Sequence, residues 1–141
     1  MSEVAGVHPF LQPLLAHWQP TGAVEIDARR LLAQHGCAAT AAHSEAVADE
    51  ARGLAAAHGV SVAAAETAAW LHDVSAIIPD ARRLEAARSL GLEVLPEEAA
   101  FPMILHQRLS AVLARQAFGV CDGAILSAIG CHTTLRPGAS P

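Results

Sequence analysis

A histidine and an aspartate stand side by side inside an apolar run, Trp70-Leu71-His72-Asp73-Val74-Ser75-Ala76-Ile77-Ile78. Such a run belongs in a core, and a polar pair buried there costs free energy unless other groups satisfy it. Any fold this chain adopts must therefore bring polar or ionic partners to residues 72 and 73. Three further histidines, His43, His106 and His132, each lie in or beside a helix-like segment of their own. Imidazoles and a carboxylate drawn from several helices form the donor set of a divalent transition-metal site.

The 141 residues suffice for one domain with a real core. Apolar residues make up 52%, alanine is used heavily, and tyrosine is absent. Alanine gives up no side-chain entropy in a helix, whereas the β-branched and aromatic residues that favour strands are sparse. The composition predicts an all-α protein. The formal net charge is -5 and every basic residue is arginine. This argues against a nucleic-acid binder working through a broad basic patch and excludes any lysine-based chemistry. Anionic ligands fall to arginine, backbone N–H groups or metal. Three cysteines, Cys37, Cys121 and Cys131, form no C-x-x-C pair, which argues against a disulfide framework and fits a reduced cytoplasm. No basic segment followed by an apolar one opens the chain, and charge interrupts every long apolar stretch. Neither a signal peptide nor a membrane span is expected.

Residues 1–20 hold three prolines and read as an N-terminal arm with an apolar centre at Phe10, Leu11, Leu14 and Leu15. Residues 21–141 read as the helical domain. Thr21 is the expected N-cap of a first helix, stopped by Gly36. A second helix is expected over 40–58, with Val47, Ala51, Leu54 and Ala55 on its core face and Gly59 as its stop. A third is expected from Val62 to Asp73, before the break at Pro79. A short amphipathic helix over 80–90 follows, then loop and turn from Gly91 to Pro102. The spacing of Leu105, Leu109, Val112 and Leu113 predicts a helix over 104–118. Asp122 caps a last helix through Ile125, Ile129 and His132, and the tail Arg136-Pro137-Gly138-Ala139-Ser140-Pro141 ends it.

Of the eight histidines, His35 and His58 each precede a glycine at a helix end, where an imidazole favours the negative end of the helix dipole. His8 and His17 belong to the arm and carry no assigned role. His43, His72, His106 and His132 each admit a structural reading alone, as a surface, capping or carbonyl-bonded histidine. Four such accidents on four segments are less economical than one shared site. On a helix, His72 and Asp73 point about 100° apart and meet only at an ion lying outside the helix between them.

A histidine on one helix and a His-Asp pair on the next long helix resemble the HD superfamily of metal-dependent phosphohydrolases. The segment Ile104-Leu105-His106, and Ala128-Ile129-Gly130-Cys131-His132-Thr133-Thr134-Leu135-Arg136-Pro137-Gly138, are similar to the branch that cleaves dinucleoside tetraphosphates symmetrically. The resemblance covers roughly residues 40–141. It implies an HD-type helical bundle and hydrolysis of a nucleotide polyphosphate such as diadenosine tetraphosphate, giving two ADP. It also implies one or two divalent transition ions: iron first, with Mn, Co, Ni or Zn as alternatives. His43, His72, Asp73, His106 and His132 would form the metal set, with Asp73 bridging to a second ion. Asp73, His106 and Arg136 would carry the catalysis. Arg108, His132, Thr133, Thr134 and Arg136 would hold the substrate.

Two departures from the family pattern are visible. Ala76 stands where the family usually has lysine, and the family's last aspartate would fall on a helix beyond Pro141. A bundle lacking that last helix is expected to leave an apolar groove, and with it a homodimer. The same departures motivate a second reading: an HD domain that binds metal, nucleotide or a partner protein without turnover.

Overall fold

Alanine and leucine recur through the helices of this chain, and glycine closes two of the longest. The computed structural model describes residues 6–130. Among them are α1 (Val24–Gln34), α2 (Ala38–His58), α3 (Val62–Leu71), α4 (Arg83–Ser89), α5 (Pro96–Ala100), α6 (His106–Phe118) and α7 (Gly123–Gly130), with no strand. Short 3-10 turns over Gln12–Leu15, Val74–Ile77, Asp80–Arg82 and Pro102–Leu105 complete the path. The protein is all-α, as the composition predicts. Gly59 and Gly119 end α2 and α6 in the left-handed region, at φ 68° and 70°. That conformation suits glycine because it lacks a Cβ. Asp122 caps α7 as expected, its Oδ1 accepting from the Ala124 N–H at 2.8 Å.

Several local expectations need correction. The stretch from Gly91 to Pro102 is not all loop, since Pro96 and the four following residues, all with good helix propensity, form α5. Of the core face expected for α2, Ala55 is buried and Val47 and Ala51 pack half-buried against the core, but Leu54 is exposed, and Ala41, Ser44 and Ala48 are buried instead. These small side chains let α2 lie close against α3, so packing distance rather than side-chain bulk decides which face turns inward. Helix α2 also starts at Ala38, which puts His43 in its second turn rather than at its opening.

The N-terminal segment shares the core of the helices. Val7, Leu11, Leu15 and Trp18 are buried with Leu31, Leu71, Leu109 and Leu113. His35 secures this segment: its Nε2 donates to the Leu14 carbonyl at 2.7 Å instead of capping its own helix. The start of α1 is also built differently from expectation. Thr21 does not cap it; the buried Asp27 reaches back from the helix instead. Its Oδ1 accepts from the Thr21 N–H (2.7 Å) and hydroxyl (2.9 Å), and its Oδ2 from the Gly22 N–H (3.0 Å). The Asp27 carbonyl accepts from Trp18 Nε1 at 2.9 Å. One residue thus ties the arm to α1. No helix among the described residues is long and apolar enough to cross a membrane.

Replacing Asp27 with alanine leaves two N–H groups and a hydroxyl without their acceptor. Asp27→Ala should lower stability by about 2–4 kcal/mol, since each bond to a charged acceptor is worth about 1.5–3 kcal/mol and the losses overlap. Urea denaturation should show this drop; a midpoint equal to the parent's would refute the account.

Candidate metal centre

Helix α3 stops at Leu71, two residues short of expectation. His72 keeps helical angles (φ -62°, ψ -27°), and Asp73 leaves them (φ -120°, ψ 20°) before the 3-10 turn. Aspartate and serine compete with helix by bonding nearby backbone, which favours a break here. Ser75 rewards it: its N–H donates to Ser110 Oγ at 3.0 Å, and its hydroxyl donates to the His106 carbonyl at 2.8 Å. The break has a geometric consequence. On a continuous helix the side chains of His72 and Asp73 would diverge, whereas here Asp73 Oδ2 lies 3.1 Å from His72 Nε2.

Two more imidazoles reach the same carboxylate. His43, from α2, places Nε2 3.8 Å from Asp73 Oδ2. His106, opening α6, places Nε2 3.7 Å from Asp73 Oδ1. The His43 and His72 rings are 5.4 Å apart and tilted by 56°. Three of the four expected histidines therefore converge on Asp73 from three helical segments. His132, with Thr133, Thr134 and Arg136, lies outside the described residues.

Hydrogen bonds fix which ring nitrogen faces the carboxylate. His72 Nδ1 is 2.6 Å from the Ala69 carbonyl, and His106 Nδ1 is 2.8 Å from the Met103 carbonyl. A carbonyl only accepts, so both Nδ1 atoms carry hydrogen. In a neutral ring, Nε2 is then a lone-pair acceptor aimed at another acceptor. For His72, 3.1 Å from Asp73 Oδ2, a proton or a cation between the two turns that contact favourable. Burial pulls the His72 imidazole down, but the Asp73 carboxylate and the Ala69 carbonyl outweigh it, and its pKa lies above the ordinary 6.5. A divalent ion satisfies the same geometry. Ligands each about 2.0–2.2 Å from one ion lie at most about 4.4 Å apart; the three imidazole–carboxylate separations fall within that limit, and the ligand atoms of His43, His72 and Asp73 all lie within 4.8 Å of one another, so a bound ion would draw them slightly together. The His72 side chain is 12% exposed, Asp73 27% and His43 58%, so the cluster opens to water on the α2 side.

A cleft of about 290 Å³ opens beside the cluster, with Asp73, His106, Ala76, Asp80, Arg83 and Met103 among its walls. Arg108 is not among them. Its Nη2 donates to Glu98 Oε1 at 2.6 Å and to the Glu93 carbonyl at 2.7 Å. Arg83, Ser75 and Ser110 carry no motif that would single them out. The one available signal is a serine inside an apolar run, which demands a partner for the reason that His72 and Asp73 do.

Comparison with known proteins adds to this geometry. A family model described as HD domain matches residues 40–140. A curated protein of Lactococcus lactis subsp. cremoris, described as "Uncharacterized protein in pepC 5'region", is 49% identical over 69 residues. That stretch is 49% of this chain and spans about a third (35%) of the relative's length.

Ser75→Ala removes the hydroxyl bond to the His106 carbonyl and keeps the N–H bond to Ser110, and should destabilise the metal-free protein by about 1–3 kcal/mol, the usual cost of stranding one buried hydrogen-bonding group. Urea denaturation measures it, and an unchanged midpoint would remove Ser75 as the tie between the turn and α6. The raised pKa of His72 stabilises the metal-free fold while the ring is protonated. In chelator-treated protein, the stability margin over His72→Gln should be fullest below pH 6.5 and shrink as pH rises through the raised value. A margin that grows with pH would contradict the assignment.

Proposed function

Because the chain belongs to the HD domain family, we propose that it is a metal-dependent phosphohydrolase acting on a nucleotide polyphosphate, with diadenosine tetraphosphate as first candidate. Three imidazole Nε2 atoms facing the two oxygens of one carboxylate support this reading. His43, His72 and Asp73 would hold the primary ion, since they offer ligand atoms within 4.8 Å of one another. His106 faces the other Asp73 oxygen, a position for bridging to a second ion or for contact with phosphate. Iron is the first candidate, and Mn, Co, Ni or Zn suit the same imidazole-carboxylate donors.

A divalent cation here would lower the pKa of a water molecule and draw charge from phosphoryl oxygens. The chain's own residues do the positioning. The Nδ1–H bonds of His72 and His106 hold two rings in fixed orientation. The cleft beside Asp73 and His106 would receive the phosphates. Met103 forms part of its wall, and Phe101, two residues earlier, is 70% exposed, an apolar face of the kind a nucleobase seeks. His132, Thr133, Thr134 and Arg136 follow α7 directly in sequence and would supply further phosphate contacts. Water adds across the central phosphoanhydride bond, and both halves leave as ADP. A reduced cytoplasm suits free Cys37 and Cys121 and an iron-type centre alike.

Full-length protein loaded with Fe, Mn or Co should release ADP from diadenosine tetraphosphate. His72→Ala should lose both bound metal and activity, while His58→Ala should keep both. Elemental analysis and chromatography of products measure the two. Failure with all three ions, or equal loss in the two variants, would overturn the reading; metal bound without turnover would select a binding domain.

A further inference from the structure

We infer that Arg83 is the phosphate anchor of the cleft, an inference that rests on the phosphohydrolase reading and names the side chain that takes the phosphate charge. Arg83 opens α4, its side chain is 11% exposed, and it walls the same cleft as Asp73 and His106. Its Nε donates to the Ile78 carbonyl at 3.4 Å, which sets the plane of the guanidinium. Its Nη2 lies 3.2 Å from Asp80 Oδ1.

The quality of that ion pair is what points to a ligand. Taking a guanidinium out of water carries a desolvation cost that a well-buried carboxylate offsets and an exposed one offsets poorly. Asp80 is 77% exposed. Arg108 provides the contrast within the same molecule, because its partner Glu98 is only 13% exposed and holds it at 2.6 Å. Arg108 is committed to that pair, whereas Arg83 is held beside the cleft by a carboxylate that water solvates easily.

Chemistry fits the placement. A guanidinium presents five N–H donors in a planar fork matched to phosphate oxygens, and the two contacts above leave donors for an incoming anion. Asp73 and Asp80 bring negative charge to the walls, and Ala76 brings none. A phosphate entering this cleft therefore needs Arg83 as well as whatever the imidazole cluster holds. Asp80 would be displaced toward water as the phosphate arrives, and the exchange favours the more highly charged anion.

Orthophosphate binding to the full-length chain, measured by calorimetry with and without Mn, tests this. Arg83→Gln should weaken orthophosphate about tenfold, the loss of one charge-assisted contact, with metal content and melting temperature unchanged. Arg83→Lys should retain part of the affinity. Asp80→Asn should tighten binding by freeing the guanidinium, and the gain should vanish in the Asp80→Asn, Arg83→Gln double variant. Unchanged affinity in Arg83→Gln, or a gain from Asp80→Asn that persists without Arg83, would overturn the assignment. Should Arg83→Gln fail to fold, unaltered affinity in both Arg83→Lys and Asp80→Asn would do so. Metal binding without orthophosphate binding refutes Arg83 alone. Arg83-dependent binding without any metal binding upholds Arg83 while refuting the metal reading.

Discussion

Three imidazole nitrogens face one carboxylate, and the rest of the architecture serves that contact. Asp73 stands where α3 gives way to a 3-10 turn, with its oxygens turned to His43 and His72 on one side and to His106 on the other. A proton or a cation between imidazole and carboxylate would stabilise this approach. Each helix in the arrangement has a definite task. The small residues of α2 let it approach α3 closely enough for His43 to reach Asp73. Ser75 fastens the turn to α6, which ties the backbone that carries Asp73 to the backbone that carries His106. The flanking Trp70, Leu71, Val74 and Ile78 are buried and anchor the pair from both sides.

The same economy governs the charged residues around the centre. Asp27 is fully engaged by Thr21 and Gly22 and belongs to the architecture of the arm. Arg108 is engaged by Glu98 and Glu93 and braces α6 against the segment before it. Arg83 alone of these is held loosely, at the edge of a cleft. Asp27 and Arg108, with complete partners, build the fold, and Arg83, with an exposed partner, borders the cleft.

Much of this is legible in the chain itself. Gly59 and Gly119 announce helix ends, because a stop of that kind needs a residue without a Cβ. The apolar run around His72 and Asp73 announces a polar pair that needs partners. His43 and His106 can be grouped with it because independent accidents on separate helices are a poor explanation. What the sequence hides depends on packing distance. The inward face of α2 follows the alanines rather than Leu54, since closeness to α3 is set by tertiary contact and not by hydrophobicity along one helix. The end of α3 at Leu71 is hidden too, because the partners that favour the break, Ser110 and the His106 carbonyl, are over thirty residues away. The family resemblance favours Arg108 over Arg83; their carboxylate partners' exposure and the cleft, which tertiary packing sets, reverse that order.

The hydrogen bonds behind the rings are unequal, and this has a kinetic consequence. His72 and His106 are each tethered through Nδ1 to a carbonyl three residues earlier, whereas His43 has its ring mostly in solvent and no ring hydrogen bond of that kind among the described residues. An ion coordinated here would meet two stiff donors and one that can swing. It would arrive and depart past His43 without any unfolding of the bundle, so occupancy would follow the free concentration of ions in the surroundings rather than being sealed in when the chain folds.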